Sequence, residues 1–212
     1  MLNAVRSDRG FTIVESSVAL VIMGILLAAM YSVIISVNQE ASDQVVLADA
    51  QAALREAADD IDVELRQATA DTPRGSEVQK LAWDEIQFLS YLTAGADLQL
   101  HRYWLDGTCS SGCDLKKSVY ARVPASDPPA YQTTPLYTEV LAAGIIASPS
   151  EPVFVGQVWS GATLTDIAAC NEGAGAACDF SLVEIKLRSD PTQFGAVAEV
   201  VITEQVRIRN AK

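Results

Sequence analysis

A single apolar segment near the start of the chain limits it to a membrane-anchored architecture. Residues 11–37 read FTIVESSVALVIMGILLAAMYSVIISV, and Glu15 is their sole charged residue. A helix needs about 20 apolar residues to cross the hydrocarbon core of a bilayer. We therefore predict that residues 11–37 form a membrane-spanning helix.

The predicted helix continues well beyond the apolar segment. No proline or glycine occurs from Ile25 to Thr72, and DTPRG at 71–75 provides an end signal. After Val37, apolar or small residues recur three or four positions apart, which places them on one helix face: Leu47, Ala50, Leu54, Ala57, Ile61 and Leu65. We predict a continuous helix from about residue 12 to residue 70, and assign residues 38–71 to its amphipathic extension.

The charges that flank the apolar segment predict its orientation. Arg6 and Arg9 precede the segment, and no lysine or arginine follows it until Arg55. Positive residues concentrate on the cytoplasmic side of membrane helices. The N-terminus is therefore expected in the cytoplasm and the remainder of the chain outside it.

Four cysteines agree with an oxidising compartment. They form two close pairs, Cys109 with Cys113 in CSSGC and Cys170 with Cys178 in CNEGAGAAC. Four cysteines allow three connectivities, of which we favour two local disulfides because these segments are rich in small residues. Their spacings fit no common zinc ribbon, and the only histidine, His101, lies in a predicted strand. No metal or other cofactor is predicted.

Charge and motif content restrict the functions open to the chain. Its 27 acidic and 15 basic residues give a net charge of -12, which argues against nucleic acid as a partner. No nucleophile elbow, phosphate-binding loop or zinc-protease motif occurs, and a single histidine leaves little room for a catalytic triad. We predict that the protein is not an enzyme.

Several polar residues are interpreted as ordinary surface positions. The carboxylates of Asp59, Asp60, Asp62 and Glu64 point in different directions on a helix, so a solvated face is favoured over a calcium site. His101 is interpreted as an outward strand position. Neither group is expected to carry function.

The C-terminal two thirds of the chain predict an antiparallel sheet. Apolar alternation and turn-rich separators predict strands over residues 85–92, 98–107, 116–124, 152–159, 180–189 and 196–210. Residues 136–145, LYTEVLAAGI, are predicted to form a short helix. The expected fold class is α+β, with a long N-terminal helix packed on an antiparallel β-sheet head.

The residues RGFTIVES, at 9–16, resemble the class III signal of type IV prepilins and pseudopilins. The resemblance rests on Arg9, Gly10, Phe11, Thr12 and Glu15, with the apolar helix behind them. It implies that a prepilin peptidase cleaves between Gly10 and Phe11 and that the new N-terminus, Phe11, is N-methylated. It also implies that Glu15 is an assembly residue, which pairs with the N-terminal amine of a neighbouring subunit.

The order of elements in the head is similar to that of the PilW/PulJ-like minor pilins and J-type pseudopilins. The resemblance implies a leader at 1–10, a transmembrane and filament-core helix at 11–37, its amphipathic extension at 38–71 and a pilin-like β head at 72–212. Implied partners are other minor pilins or pseudopilins, the filament core, the prepilin peptidase and the inner-membrane assembly platform.

Two classes of function remain open at this point. The resemblance favours a structural minor pilin or pseudopilin of a type IV pilus, a type II secretion pseudopilus or a competence pilus. Many major pilins carry a proline in the spanning half of the helix, and residues 11–37 contain none, which suits a minor component. The alternative is a single-pass membrane-anchored extracytoplasmic enzyme or binding protein.

Overall fold

A computed structural model gives the fold of most of the chain. It describes residues 12–70, 76–91, 97–124, 130–160, 162–167, 169–171, 178, 180–189 and 199–208. The chain divides into two compact units, Met1–Val45 and Val46–Lys212. Within the described ranges it forms one α-helix followed by ten β-strands, the α+β architecture expected from the sequence.

Helix α1 spans Ile13–Arg66 without interruption. It begins where the sequence predicts and ends four residues before the predicted end at Ala70. At its end the backbone N–H of Gln67 donates to the carbonyl of Glu64 at 3.0 Å, a tighter bond of the type that closes many helices. The end signal at 71–75 lies outside the described residues.

The ten described strands form one antiparallel sheet. Their bounds are β1 Val78–Ala82, β2 Glu85–Tyr91, β3 Leu98–Asp106, β4 Cys113–Ala121, β5 Tyr137–Ile145, β6 Phe154–Ser160, β7 Thr163–Ile167, β8 Cys170–Asn171, β9 Leu182–Ser189 and β10 Val200–Arg207. Their order in the sheet is β7-β6-β9-β5-β4-β3-β2-β1-β8, and β10 pairs with β9 along its whole length. Strands β1, β7 and β8 were not predicted, and the ends of the segment predicted at 196–210 lie outside the described residues.

The prediction of a short helix over residues 136–145 is wrong, because these residues form strand β5. Lys116 of β4 lies opposite Val140, and Val119 lies opposite Tyr137. The segment contains good helix formers, but pairing with a neighbouring strand overrides this weak local preference. Gly144 has a φ of 72°, a left-handed conformation that suits glycine and is incompatible with a continuing α-helix.

The core of Val46–Lys212 lies between the second half of α1 and the sheet. The helix residues that are buried recur at helical spacing: Leu54, Ala57, Ala58, Ile61 and Leu65. On β3 the alternate residues His101, Tyr103 and Leu105 are buried, which places their side chains on the face toward α1. The predicted amphipathic packing of the helix is therefore confirmed over residues 54–65.

The sheet curls so that β6 approaches β1, its distant neighbour in strand order. The backbone N–H of Val153, just before β6, donates to the carbonyl of Trp83 at 2.8 Å. A Cβ added to Gly156 would lie 2.9 Å from the Phe180 ring and 3.0 Å from Leu81. Glycine is thus required for the close approach of β6 to β1.

Candidate functional site

The N-terminal end of α1 carries a carboxylate in its first turn. The backbone N–H of Glu15 donates to Thr12 Oγ1 at 3.3 Å, and the N–H of Thr12 makes a longer contact of 3.5 Å with Glu15 Oε2. This reciprocal arrangement is a capping box, and the helix dipole also favours an anion at this end. Glu15 therefore sits where its charge costs least within an apolar helix. Gly10 and Phe11 lie outside the described residues, so the predicted cleavage and methylation stay predictions.

Three serine hydroxyls of the apolar segment bond within the helix. The hydroxyls of Ser16, Ser17 and Ser32 donate to the carbonyls of Thr12, Ile13 and Ala29 at 3.3, 2.8 and 2.8 Å. Such bonds allow hydroxyls to enter an apolar environment without an outside partner. Glu15 is the sole charged residue of 11–37, and a cation from outside the helix would compensate its charge in apolar surroundings.

Among the described residues of its unit, 12–45, the apolar first half of α1 has no packing partner. Large hydrophobic side chains from Ile13 to Val37 are exposed on all sides of the helix. Among the described helices, α1 is long and apolar enough to cross a membrane, and its most apolar window is not buried. A continuous apolar surface of this size requires lipid or other protein chains to cover it.

A polar cluster joins the second half of α1 to the sheet. Lys117 of β4 is 5% exposed, and its Nζ lies 2.9 Å from Asp60 Oδ2 and 2.7 Å from Glu64 Oε1. The more exposed Glu139 of β5 contributes a third carboxylate at 3.6 Å. Because Asp60 and Glu64 are one helical turn apart, both reach the same ammonium group.

Two residues of β3 complete this polar cluster. The Tyr103 hydroxyl lies 2.6 Å from Glu64 Oε2 and 2.8 Å from Asp60 Oδ2, and His101 Nδ1 lies 2.6 Å from Glu64 Oε2. A carboxylate accepts, so Nδ1 carries the proton of this bond. The rings of His101 and Tyr103 stack against the ring of Phe88, whose centre lies 5.7 Å from that of His101 and 5.8 Å from that of Tyr103. The cluster is therefore closed on one side by an aromatic wall.

The cluster shifts the ionisation of its members. Burial alone would raise the pKa of Glu64, but the hydrogen bonds and charges of His101, Lys117 and Tyr103 outweigh it and lower the pKa to about 2. Burial would lower the pKa of Lys117, yet Glu64 and Asp60 raise it above its ordinary value. Burial raises the pKa of Tyr103, and the neighbouring carboxylates raise it further. These shifts hold Glu64 ionised, Lys117 protonated and the Tyr103 hydroxyl neutral across the neutral pH range.

The structure corrects two sequence interpretations here. Asp60 and Glu64 do not belong to a solvated face, because Lys117 and the β3 side chains occupy their oxygens. His101 is not an outward position, because it is 1% exposed and faces the helix. The usable signal was the spacing of Asp60 and Glu64, which lie one turn apart and directly beside the buried helix stripe.

A second set of charges lies on the opposite face of the sheet, where the buried carboxylate of Glu85 meets cations that are about one third exposed. Glu85 of β2 accepts from Arg102 at 2.6 Å and from Gln87 at 2.6 Å, and it also pairs with Lys80. Trp104 lies between two cations, with the Arg102 guanidinium 4.8 Å from its ring centre. These are cross-strand contacts of a half-exposed sheet face.

The structure pairs Cys109 with Cys113 and Cys170 with Cys178, the local arrangement that the sequence favoured. All four cysteines lie among the buried residues. The first disulfide closes the β3–β4 connection, and the second closes the connection after β8. Burial of both gives them a structural role.

Comparison with known proteins gives one finding at the N-terminus. The model of the prokaryotic N-terminal methylation motif matches residues 5–31. No curated protein and no solved structure matches the chain significantly. The matched residues contain Gly10, Phe11 and Glu15, and the match supports a type IV pilin-like protein. A motif of this type implies, in general, processing by a prepilin peptidase and assembly with other pilins, and it fits a single-pass membrane anchor.

Proposed function

We propose that the protein is a minor pilin or pseudopilin that assembles through its N-terminal helix into a type IV pilus or type II secretion pseudopilus, at the initiating tip complex. The match of the methylation motif to residues 5–31 carries the proposal. The exposed apolar surface of α1 supports it, since a filament core and a membrane offer that surface two successive partners.

In this proposal the chain is made as a precursor with its N-terminus in the cytoplasm and its head outside. The prepilin peptidase removes residues 1–10 by cleavage between Gly10 and Phe11 and methylates the Phe11 amine. The helix of residues 11–37 then moves from the bilayer into the filament core, where it contacts other minor pilins or pseudopilins. The head at 72–212 faces partner subunits and binds no nucleic acid.

Glu15 has a defined role in this transfer. In the filament its carboxylate pairs with the N-terminal amine of a neighbouring subunit, so that two charges compensate one another in apolar surroundings. The first-turn position of Glu15 supports this role, because it holds the carboxylate at the end of the helix where the amine of a neighbour would lie. Either charge alone would be costly there.

Mass spectrometry of the native protein tests the processing step. The expected N-terminus is N-methylated Phe11, and a Gly10→Glu precursor is expected to remain uncleaved because a side chain and a charge block the scissile position. A mature protein that retains Met1, or is cut elsewhere, would refute the pilin assignment.

A second experiment tests the assembly step separately. Glu15→Ala is expected to abolish recovery of the protein with sheared filaments and tip subunits, while cleavage after Gly10 persists. Glu40→Ala is the matched control, because Glu40 is an exposed acid on the same helix beyond the apolar segment. Equal recovery of the Glu15→Ala and Glu40→Ala proteins would show that Glu15 has no assembly role.

A further inference from the structure

Strand β5 pairs with β4 on one side, and on the other side it meets the described part of the chain at few positions. Among the described strands, β9 meets β5 at one position, where Ser189 lies opposite Ile145. The peptide groups of residues 137–144 on that side therefore meet no described strand. Unpaired peptide groups at a sheet edge form a template on which another strand can pair.

The open part of β5 also exposes apolar side chains. Leu136 and Tyr137 are exposed, and Val140 is 55% exposed. Sheet edges in soluble proteins are commonly protected by lysine or proline, and β5 contains neither. We name residues 136–140 the β5 edge, since on this side the peptide groups of residues 137–140 meet no described strand, and apolar side chains of the segment are exposed.

The charge beside the β5 edge indicates what kind of strand would fit. Lys117 faces three carboxylates, those of Asp60, Glu64 and Glu139, so negative charge is in excess on this side of the sheet. Glu139 is the most exposed of the three and belongs to β5 itself. A lysine or arginine on an incoming strand would compensate this excess.

The same charge argues against a second copy of the chain as the occupant. Two β5 edges that paired with one another would bring together two strands that each carry Glu139 and its excess of carboxylates. Like charges on paired strands are destabilising, and the chain as a whole has a net charge of -12.

We propose that the β5 edge is a docking site for an extended, basic segment of a partner protein, which adds to the sheet as a strand beside β5. Backbone hydrogen bonds supply the binding, as in other cases of strand addition. Val140 and Leu136 contact alternate apolar side chains of the added strand, and Glu139 pairs with its lysine or arginine. This inference holds whether or not the protein is a pilin.

Hydrogen exchange of the full chain in detergent micelles tests the site directly. The probe is an acetylated, amidated heptapeptide, Thr-Val-Lys-Val-Thr-Val-Lys. It is expected to slow deuterium uptake in the segment that covers residues 136–145 and to leave the segment that covers β7 unchanged. A peptide of the same sequence with alternate N-methylated amides is expected not to protect, because it lacks the donors of a strand edge.

Two matched variants test the apolar and charged parts of the β5 edge. Val140→Lys is expected to weaken binding of the heptapeptide about fivefold through loss of apolar contact and like-charge repulsion. Val201→Lys on β10 is the control, because Val201 is 52% exposed and lies on a different strand. Glu139→Gln is expected to weaken binding and to flatten its dependence on salt.

Each of several results would overturn the proposal. Slow exchange of all amides in residues 137–140 before the probe is added would mean that the chain itself already covers the edge. Equal protection by the N-methylated peptide would show that the peptide binds through side chains, and would refute strand addition. Unchanged affinity in Glu139→Gln would refute a basic partner. Self-association of the chain that Val140→Lys abolishes would identify a second copy as the occupant.

Discussion

The two halves of α1 share one continuous backbone and differ in where their apolar side chains find partners. In the first half, Leu26 is 59% exposed, and its apolar neighbours are exposed around the whole helix. In the second half, Leu65 is fully buried, and Lys117 of the sheet meets the adjacent carboxylates. The second half is therefore stabilised by its own chain, whereas the first requires lipid or other subunits.

This difference explains how one helix serves two purposes. A helix that is apolar on all sides suits a bilayer or a filament core, and one with a single buried stripe suits a sheet. The change occurs without a proline or glycine between Ile25 and Arg66, so side chains alone divide the helix. Substitutions in the second half should therefore change the free energy of unfolding, and substitutions in the first half should change incorporation into filaments.

The largest effect on folding is expected from Lys117→Met. It removes the ammonium group shared by Asp60 and Glu64, two carboxylates beside an apolar core, and leaves them the hydrogen bonds from β3. The free energy of unfolding should fall by about 3 to 5 kcal/mol. Urea unfolding of the full chain in micelles measures it through tryptophan fluorescence, since Trp83, Trp104 and Trp159 all follow the helix.

Lys116→Met is the control for this substitution, because Lys116 is the adjacent residue on β4 and pairs with Asp106 on the solvent-exposed face. An equal loss of stability in both variants would mean that the polar cluster has no special importance.

A pair of leucine substitutions compares the two halves directly. Leu65→Ala should lower the free energy of unfolding by about 2 to 5 kcal/mol, because it leaves a cavity in a packed core. Leu26→Ala should leave the same transition unchanged, and instead weaken incorporation into filaments. If both variants unfolded alike, the proposed division of the helix would be wrong.

The pH dependence of the free energy of unfolding should reveal the contribution of ionised Glu64. Its pKa is lowered from 4.5 to about 2 in the folded protein. The ionised carboxylate therefore contributes its full share to the free energy of unfolding at a pH above the pKa of the unfolded chain. That contribution is lost as the pH falls from about 5 toward about 2. Urea midpoints across this range should fall more steeply for the native chain than for Glu64→Gln, and parallel profiles would contradict the assignment.

The smallest effect is expected on the solvent-exposed face of the sheet. Arg102→Met removes the ion pair between Arg102 and Glu85, in which the arginine side chain is about one third exposed. The loss should be about 1 kcal/mol or less, because the arginine is partly exposed to solvent and salt, and Glu85 keeps Lys80 and Gln87 as partners. Thermal unfolding at low and high salt measures it, and a loss as large as that of Lys117→Met would remove the distinction between the two faces.

Much of the fold could be predicted because its signals are local. Helical periodicity and the absence of breakers predicted α1, and the register of Arg9, Gly10, Phe11 and Glu15 carried the family resemblance. The failures involve pairing partners that are distant in sequence. Residues 136–145 read as a helix because their preference is helical, and it is β4, more than 15 residues earlier, that makes them a strand.

The polar cluster escaped prediction for a related reason. In β3, His101 lies between Leu100 and Arg102, which favoured an outward position for it. The structure buries His101 and Tyr103 on the face toward α1, where Glu64 bonds to His101 Nδ1 and both Asp60 and Glu64 bond to the Tyr103 hydroxyl. Those acids lie 37 to 43 residues earlier, so their spacing shows that they share one helix face, but no local pattern reveals their partners on β3.

The placement of Lys117 has a mechanical consequence. Asp60 and Glu64 lie four residues apart, a separation of about 6 Å along the helix axis, and both contact the same ammonium group on a fixed strand. A pull along the axis cannot slide α1 over the sheet without separating Lys117 from one carboxylate. The cluster thus resists sliding of the helix along the sheet and keeps the two in register when a force is applied along the helix axis.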